Sequence, residues 1–459
     1  MLNTKGHQLE QSLKIKNLLD EAVKEAQAIG EQIDGIRAPD EKLASTAKTV
    51  MDDIGAVRGR PLFFPFVGTG VGRGAYVELI DGSVKLDLIN GIGIHVLGHS
   101  HPRVMSASLR GALSDIVMQG NLEPNREYHL ISKKLVDLAS RNSRLKYVWL
   151  STCGTMANEN ALKACRQKKT PARMVIAMNA AFAGRSTMMA EITDNPNFKV
   201  GLPEYNEVLR VPWFDKTDPN SSAKSLSVFK EHVAKHGQNI ACFTFEPMQG
   251  EGGYNVAPRE FFLPILEFCR EHKIPVWADE VQTFTRTGNF FAFETLGIGD
   301  FIDVCTIAKT AQNGATFYTE EFNPKPGLIS GTFSGSTVSL AAGLEILNIL
   351  DKENYMGPGG KIAMIHKEFV SMLEDLNSTT CKGLLQDAGG LGLMVAVTPM
   401  DGTKDKVDRL MHTLYKNGLI CFGCGKGPYK LRFLLPAILT SADINVAKGI
   451  IEKSIKEIS

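Results

Sequence analysis

Between residues 8 and 29, the apolar positions Leu9, Leu13, Leu18, Leu19, Val23 and Ala26 recur at helical spacing, so the chain is expected to start with an amphipathic helix. A polar connector around Arg37 to Lys42 follows, then a turn-rich stretch from Arg58 to Gly74. From Ala75 the period changes: the short runs AYVELI and VKLDLI flank Asp81-Gly82, a pair suited to a tight hairpin turn.

The middle of the chain alternates short apolar runs with longer helical patterns. KYVWLS precedes a helix from about Thr155 to Gln167; RMVIAM, IACFTFE, IPVWADE and DVCTIAK follow, with a helix near Glu260 to Glu271 and another near Val338 to Leu350. Strands that are apolar on both faces and interleaved with helices predict an α/β fold with a mostly parallel sheet. From Asp351 to Ser459, helices mix with the strand-like runs LGLMVAV and YKLRFLL, a smaller α+β unit. The expected organisation is an N-terminal segment (1–75) packing with the small domain, a large domain (76–350) and a small C-terminal domain (351–459).

Composition narrows the function classes. Of 459 residues, 43% are hydrophobic and 22% charged, enough for a large core. Fifty-one Lys and Arg against 50 Asp and Glu, with no run of like charge, argue against nucleic acid or an acidic membrane surface as a partner. No segment reaches the roughly 20 apolar residues that span a bilayer. The first thirty residues are polar and contain acids but no Arg, unlike a signal peptide or a mitochondrial presequence, so cytoplasm is the expected location. Eight cysteines are spread singly or sit in apolar runs, and read as reduced core thiols; Cys421 and Cys424 form a lone Cys-x-x-Cys, weak support for metal or redox work.

Ligands of open α/β sheets gather at the carboxyl ends of the strands. There IPVWA runs into Asp279 and DVCTIA into Lys309. An acid and a lysine at adjacent strand ends suit pyridoxal phosphate: the lysine supplies an amine, favoured in its neutral form by burial and nearby cations, and the carboxylate keeps the pyridine nitrogen protonated. Gly154 and Thr155 open a helix whose positive end can meet a phosphate dianion. Two other motifs are set aside. The string GTGVGRG (68–74) precedes a strand instead of following one and opening a helix, as a dinucleotide loop would. His95, His99 and His101 are closely spaced enough to suggest a metal, but no carboxylate is expected beside them, and no metal is expected.

The strings LDLINGIGIHVLGHSHPRV, CGTMANENALK, AFAGR, EPMQGEGG, ADEVQTFTRTGNFFAFE, TIAK and GTFSGS, in this order from about Asp87 to Ile346, resemble the class III, fold type I aminotransferases. The resemblance implies that Lys309 holds the cofactor as a Schiff base and shuttles a proton, that Asp279 pairs with the pyridine nitrogen, and that Gln282 approaches the ring's phenolic oxygen. It places Val281 and Phe182 on the two ring faces, Gly154 and Thr155 at the phosphate, and Thr332 at the phosphate of a neighbouring subunit, hence a homodimer with shared sites.

The same resemblance gives Arg185 to a donor carboxylate and Arg432 to the carboxylate of glutamate or 2-oxoglutarate, with Glu251 masking Arg432 in turn. Transfer from an omega-amino acid such as 4-aminobutyrate to 2-oxoglutarate is the implied reaction. Ornithine, acetylornithine and lysine 6-aminotransferases are alternatives, as is an aminomutase on the same fold. Met156, Ala183, Phe284, Thr285, Ser336 and Thr337 depart from the family pattern without removing a catalytic group, and leave the amino donor open.

Overall fold

The computed structural model describes residues 4–115, 118–120 and 122–458. Its centre is a seven-stranded sheet: β1 (Tyr147–Ser151), β2 (Met174–Met178), β3 (Val208–Val211), β4 (Ile240–Phe245), β5 (Val276–Asp279), β6 (Val304–Ile307) and β7 (Gly314–Tyr318). The spatial order is β1-β7-β6-β5-β4-β2-β3. From β6 to β3 every neighbouring pair is parallel, whereas β7 runs antiparallel to both β6 and β1. This is the expected α/β fold with a mostly parallel sheet.

Strands β4 to β7 are buried along their whole length. Their side chains alternate between two cores, as the two-residue period of a strand requires. Cys242, Trp277 and Val304 join Ala161, Leu162 and Cys165 of the helix Gly154–Lys168 on one face. Phe243, Phe245, Val276 and Cys305 meet Phe261, Phe262 and Ile265 of the helix Arg259–Glu271 on the other. Both faces are thus sealed, and only the strand ends are left to meet a ligand.

A second sheet combines Gly68–Arg73, Tyr76–Leu79 and Val84–Asp87 with Leu419–Ile420, which pairs in parallel with Val84–Asp87. The hairpin at Asp81-Gly82 is present, with Gly82 at φ 77°. The glycine-rich string at 68–74 forms the edge strand of this sheet. A third sheet is antiparallel and built from Leu385–Leu391, Met394–Pro399, Lys430–Leu434 and Phe422–Cys424.

Several elements differ from expectation. The N-terminal helix is two, Lys5–Glu10 and Leu13–Gly30, because the Ser12 hydroxyl caps the second by accepting from the Ile15 amide. Of Leu13–Gly30 only Val23 and Gly30 are buried, and Leu13 and Leu18 face outward. The helix Ala44–Arg58 was not expected: it buries only Ala47, so it has no apolar stripe to read. A carboxylate does stand with the histidines, contrary to expectation: His99 Nε2 lies 3.0 Å from Asp87 Oδ2. Asp87 also accepts from the amides of Ile89 and Asn90, which makes the cluster a brace for the turn after the hairpin. Among the described residues no group of three or more His, Cys, Asp or Glu is arranged to hold a metal ion, and no helix is long and apolar enough to cross a membrane. All eight cysteines are free, Cys421 and Cys424 included.

Candidate active site

β5 ends on Asp279, and β6 leads through Ala308 to Lys309, which takes a left-handed backbone (φ 58°). Asp279 is buried, yet each of its oxygens has a donor: Oδ2 accepts from Asn158 Nδ2 at 2.7 Å and Oδ1 from the Val281 amide at 3.0 Å. Burial raises its pKa to about 6, against the pull of these bonds and of Lys309. At pH 7 it is mostly ionised, and among the described residues it makes no ion pair. Lys309 is partly buried, and its amine falls from 10.5 to about 8, first through desolvation and then through the Arg286 and Arg432 charges. Glu251 and Asp279 oppose that fall. A lysine so placed is neutral in a useful fraction near neutrality.

Asn158 comes from the helix Gly154–Lys168 and also donates to the Ala183 carbonyl at 2.7 Å, tying the loop after β2 to the Asp279 carboxylate. Glu246, just beyond β4, accepts from the amides of Phe182 (3.1 Å) and Gly250 (2.9 Å). Burial, followed by repulsion from Asp279, lifts its pKa to about 8, so it is mostly protonated at pH 7. The site therefore keeps one carboxylate charged and a neighbour neutral.

No side chain caps the helix that starts at Gly154. A Cβ on Gly154 would lie 2.7 Å from Val281 Cγ1, so glycine alone lets Val281 lie this close to the helix start. Gly184 (φ 128°) leaves room for Thr155 in the same way: a Cβ there would meet Thr155 Oγ1 at 2.5 Å. Phe182 is half-buried and meets Phe198 edge to face, with ring centroids 6.3 Å apart. The buried Gln282 Oε1 has no hydrogen-bond partner among the described residues.

Arg432, on the strand Lys430–Leu434, is 0% exposed and pairs with Glu251 Oε1 at 2.6 Å. Desolvation works against its charge, but Glu251 more than offsets this, and its pKa is raised. Among the described residues its Nε and Nη1 have no acceptor, and neither does the buried Tyr254 hydroxyl nearby. Arg185 is exposed, its guanidinium 4.0 Å from the Phe198 ring centroid. Thr332 is exposed, and its carbonyl lies so close to Gly120 that a Cβ there would be 2.3 Å away. The structure thus groups Lys309, Asp279 and Gln282, and sets Glu251 with Arg432; Arg185 and Thr332 lie at the surface. Sequence reasoning missed Asn158, Glu246 and Arg286, although all three stand within or beside the quoted strings.

These residues fit pyridoxal phosphate: a neutralisable amine, a buried carboxylate without an ion pair among the described residues, an orphaned amide oxygen and an uncapped helix start lie together at the carboxyl ends of the strands. A mostly parallel sheet with this lysine and acid at adjacent strand ends defines a fold type I pyridoxal-phosphate enzyme. The chain belongs to the class III aminotransferases, since residues 59–455 match the family described as Aminotransferase class-III. It is a pyridoxal-phosphate-dependent transaminase.

Among its relatives, a probable 4-aminobutyrate aminotransferase of Bacillus subtilis is 28% identical over 84% of this chain and 92% of the relative. An acetylornithine aminotransferase of Bacillus cereus is 30% identical over 83% and 93%. In fold, the chain is similar to a lysine aminotransferase from M. tuberculosis, with TM-score 0.79, 21% identity, and 89% of this chain and 100% of that one covered.

Proposed function

We propose that this enzyme transfers the amino group of an omega-amino acid, such as 4-aminobutyrate, to 2-oxoglutarate. The observation that carries this reading is the Arg432–Glu251 pair. A fully buried guanidinium with two orphaned nitrogens is held by one partly exposed carboxylate. Such a pair balances attraction against desolvation, so Glu251 can give way to an incoming carboxylate and return when a substrate brings none to that position. A single site can then serve both halves of the exchange.

Pyridoxal phosphate supplies the electron sink for the bond-breaking step. In this reading Lys309 holds the cofactor through its amine and moves the proton at the amine-bearing carbon of the substrate. Asp279 holds the ring nitrogen's proton, and Asn158 fixes the carboxylate. Gln282 offers its side chain to the phenolic oxygen, while Val281 and Phe182 confine the ring. Gly154 and Thr155 meet the phosphate, and Arg185 faces the donor's carboxylate.

We further infer a homodimer in which Thr332 serves the partner's phosphate. Phe333, next to Thr332, is 42% exposed, and Met118 (56%) and Leu122 (94%) flank Gly120, whose backbone meets the Thr332 carbonyl; these exposed apolar side chains support burial against a second copy. Residues 76–350 would form the cofactor domain and 351–459 the small domain. Eight unpaired cysteines support a reducing location, the cytoplasm.

The comparable similarity to an acetylornithine aminotransferase favours ornithine-type donors as the second reading. A panel of amino donors assayed with 2-oxoglutarate and with pyruvate tests both. Fastest turnover of 4-aminobutyrate or 5-aminovalerate with 2-oxoglutarate is expected. Preference for ornithine derivatives would select the second reading, and use of pyruvate alone would overturn the 2-oxoglutarate assignment.

A further inference from the structure

Beside the Lys309 turn lies a cation that none of these roles uses. Arg286 is 1% exposed, and among the described residues no carboxylate pairs with it. Its Nη1 donates to the carbonyls of Gln282 (2.7 Å) and Phe284 (3.3 Å). Its Nη2 donates to the Gly93 carbonyl and to Thr310 Oγ1 at 2.7 Å. Gly93 (φ 83°) makes the approach possible, because a Cβ there would lie 2.6 Å from Nη2. Burying a guanidinium on neutral acceptors alone is costly and would be cheaper at the surface.

The surroundings are strained as well. Thr285, β-branched and 0% exposed, sits at φ 67°, in a region such residues rarely enter. Its hydroxyl, which donates to the Phe284 carbonyl at 2.6 Å, lies 3.1 Å from Thr310 Oγ1, the atom that also receives Arg286. Thr310 follows Lys309, itself left-handed at φ 58°, and Gln312 repeats that conformation at φ 60°. Two strained turns, one ending on Arg286 and one starting at Lys309, are therefore joined through a single hydroxyl. Strain and an uncompensated buried charge at one point suggest a function.

We propose that Arg286, anchored on Thr310, is a positioning residue for Lys309: it fixes the turn that carries the amine and presents to it an unneutralised positive charge. The inference rests on the reading of Lys309 as the cofactor lysine. The charges facing Lys309 are Arg286, Arg432, Glu251 and Asp279, and after desolvation Arg286 is the strongest influence lowering its proton affinity. Arg286 is itself lowered by burial to about 10, so it remains a cation at neutral pH. Of the two arginines, Arg432 is neutralised by Glu251 and becomes engaged when substrate binds, whereas Arg286 is constant through both halves of the exchange.

The test is a pH titration of the visible absorption band of the holoenzyme in wild type, Arg286→Gln, Arg286→Lys and Thr310→Val. Loss of the charge in Arg286→Gln should move the midpoint upward by about one pH unit, while Arg286→Lys, which keeps the charge, should stay close to wild type. Thr310→Val, which only frees the guanidinium from the turn, should shift it upward by less. A packing role would move Gln and Lys variants alike or neither, and either result overturns the proposal. If Arg286→Gln does not fold, Thr310→Val decides, and an unchanged midpoint there counts against the proposal. Borohydride reduction of the same wild-type sample separates the two levels. Label on Lys309 with no midpoint shift defeats only the Arg286 role, and label on another lysine defeats the cofactor reading with it.

Discussion

The two ends of the central sheet offer a direct comparison. At the amino ends of β5 and β6 lies a cavity of about 850 Å³, lined among others by Arg144, Lys168, Lys169, Arg270, Lys273 and Asp303. At the carboxyl ends lie Asp279 and Lys309. The basal cavity has volume and charge, but several of its polar groups are paired. Arg144 donates to Asp303 at 2.8 Å, Asp303 accepts from the Val276 amide at 2.9 Å, and Lys169 and Arg270 donate to backbone carbonyls. Among the described residues, none that lines it has a buried unpartnered polar atom. Its one left-handed residue, Lys273, follows the end of the helix Arg259–Glu271, an ordinary place for that conformation.

The carboxyl end is the reverse. Gln282, Asn158, Tyr254 and Arg432 each keep an unpartnered buried atom there, and Tyr254, Thr285, Lys309 and Gln312 have positive φ. Unmet hydrogen bonds and strain, both costly to fold around, mark the working end better than empty volume does.

Substitutions at both ends can break this comparison. Lys309→Ala should have the largest effect, a loss of at least about ten-thousandfold in turnover measured in single-turnover experiments, with the fold retained. Asp279→Ala should lose roughly a hundredfold or more, and near-normal turnover would mean that another group faces the ring nitrogen. Arg432→Ala should cost about ten- to a hundredfold in the glutamate half-reaction and spare the donor half. Equal damage to both halves would make Arg432 structural, and Glu251→Ala should shift preference toward alpha-amino acids.

A pH effect sharpens the picture further. With Lys309 lowered to about 8, the rate at which apoenzyme takes up cofactor should rise about tenfold per pH unit below 8 and level off above it, because only the neutral amine attacks. A rise continuing to pH 10 would show that the lysine is unperturbed. At the basal cavity, the double change Lys168→Ala with Lys273→Ala should leave turnover within about twofold and stability within about 1 kcal/mol.

Much of the working end was legible in the sequence because a buried strand announces its own end. Continuous apolar runs stop at Asp279 and Lys309, and a polar residue at that point stands out. The strands β3 and β7 were not legible: VLRV and GATFY are short, and nothing local distinguishes the antiparallel β7 from its parallel neighbours. Arg286 reads as a surface residue, since its neighbours Thr285, Thr287 and Gly288 suggest an exposed turn; its burial depends on Gly93, far away in sequence. Asn158 was hidden for another reason. Its helix buries polar Asn158 and Asn160 beside Ala157 and Ala161, so helical periodicity gives no sign that one of them turns toward a carboxylate. Asp87 likewise meets His99 only once the hairpin has folded back on the turn.

The central claim is that Lys309, at the end of β6, carries the cofactor. Borohydride reduction of the yellow holoenzyme followed by peptide mapping tests it most directly. The expected result is a phosphopyridoxyl group on the peptide containing Lys309 and on no other lysine. Label on a different lysine, or a holoenzyme that takes up no label, would contradict the claim.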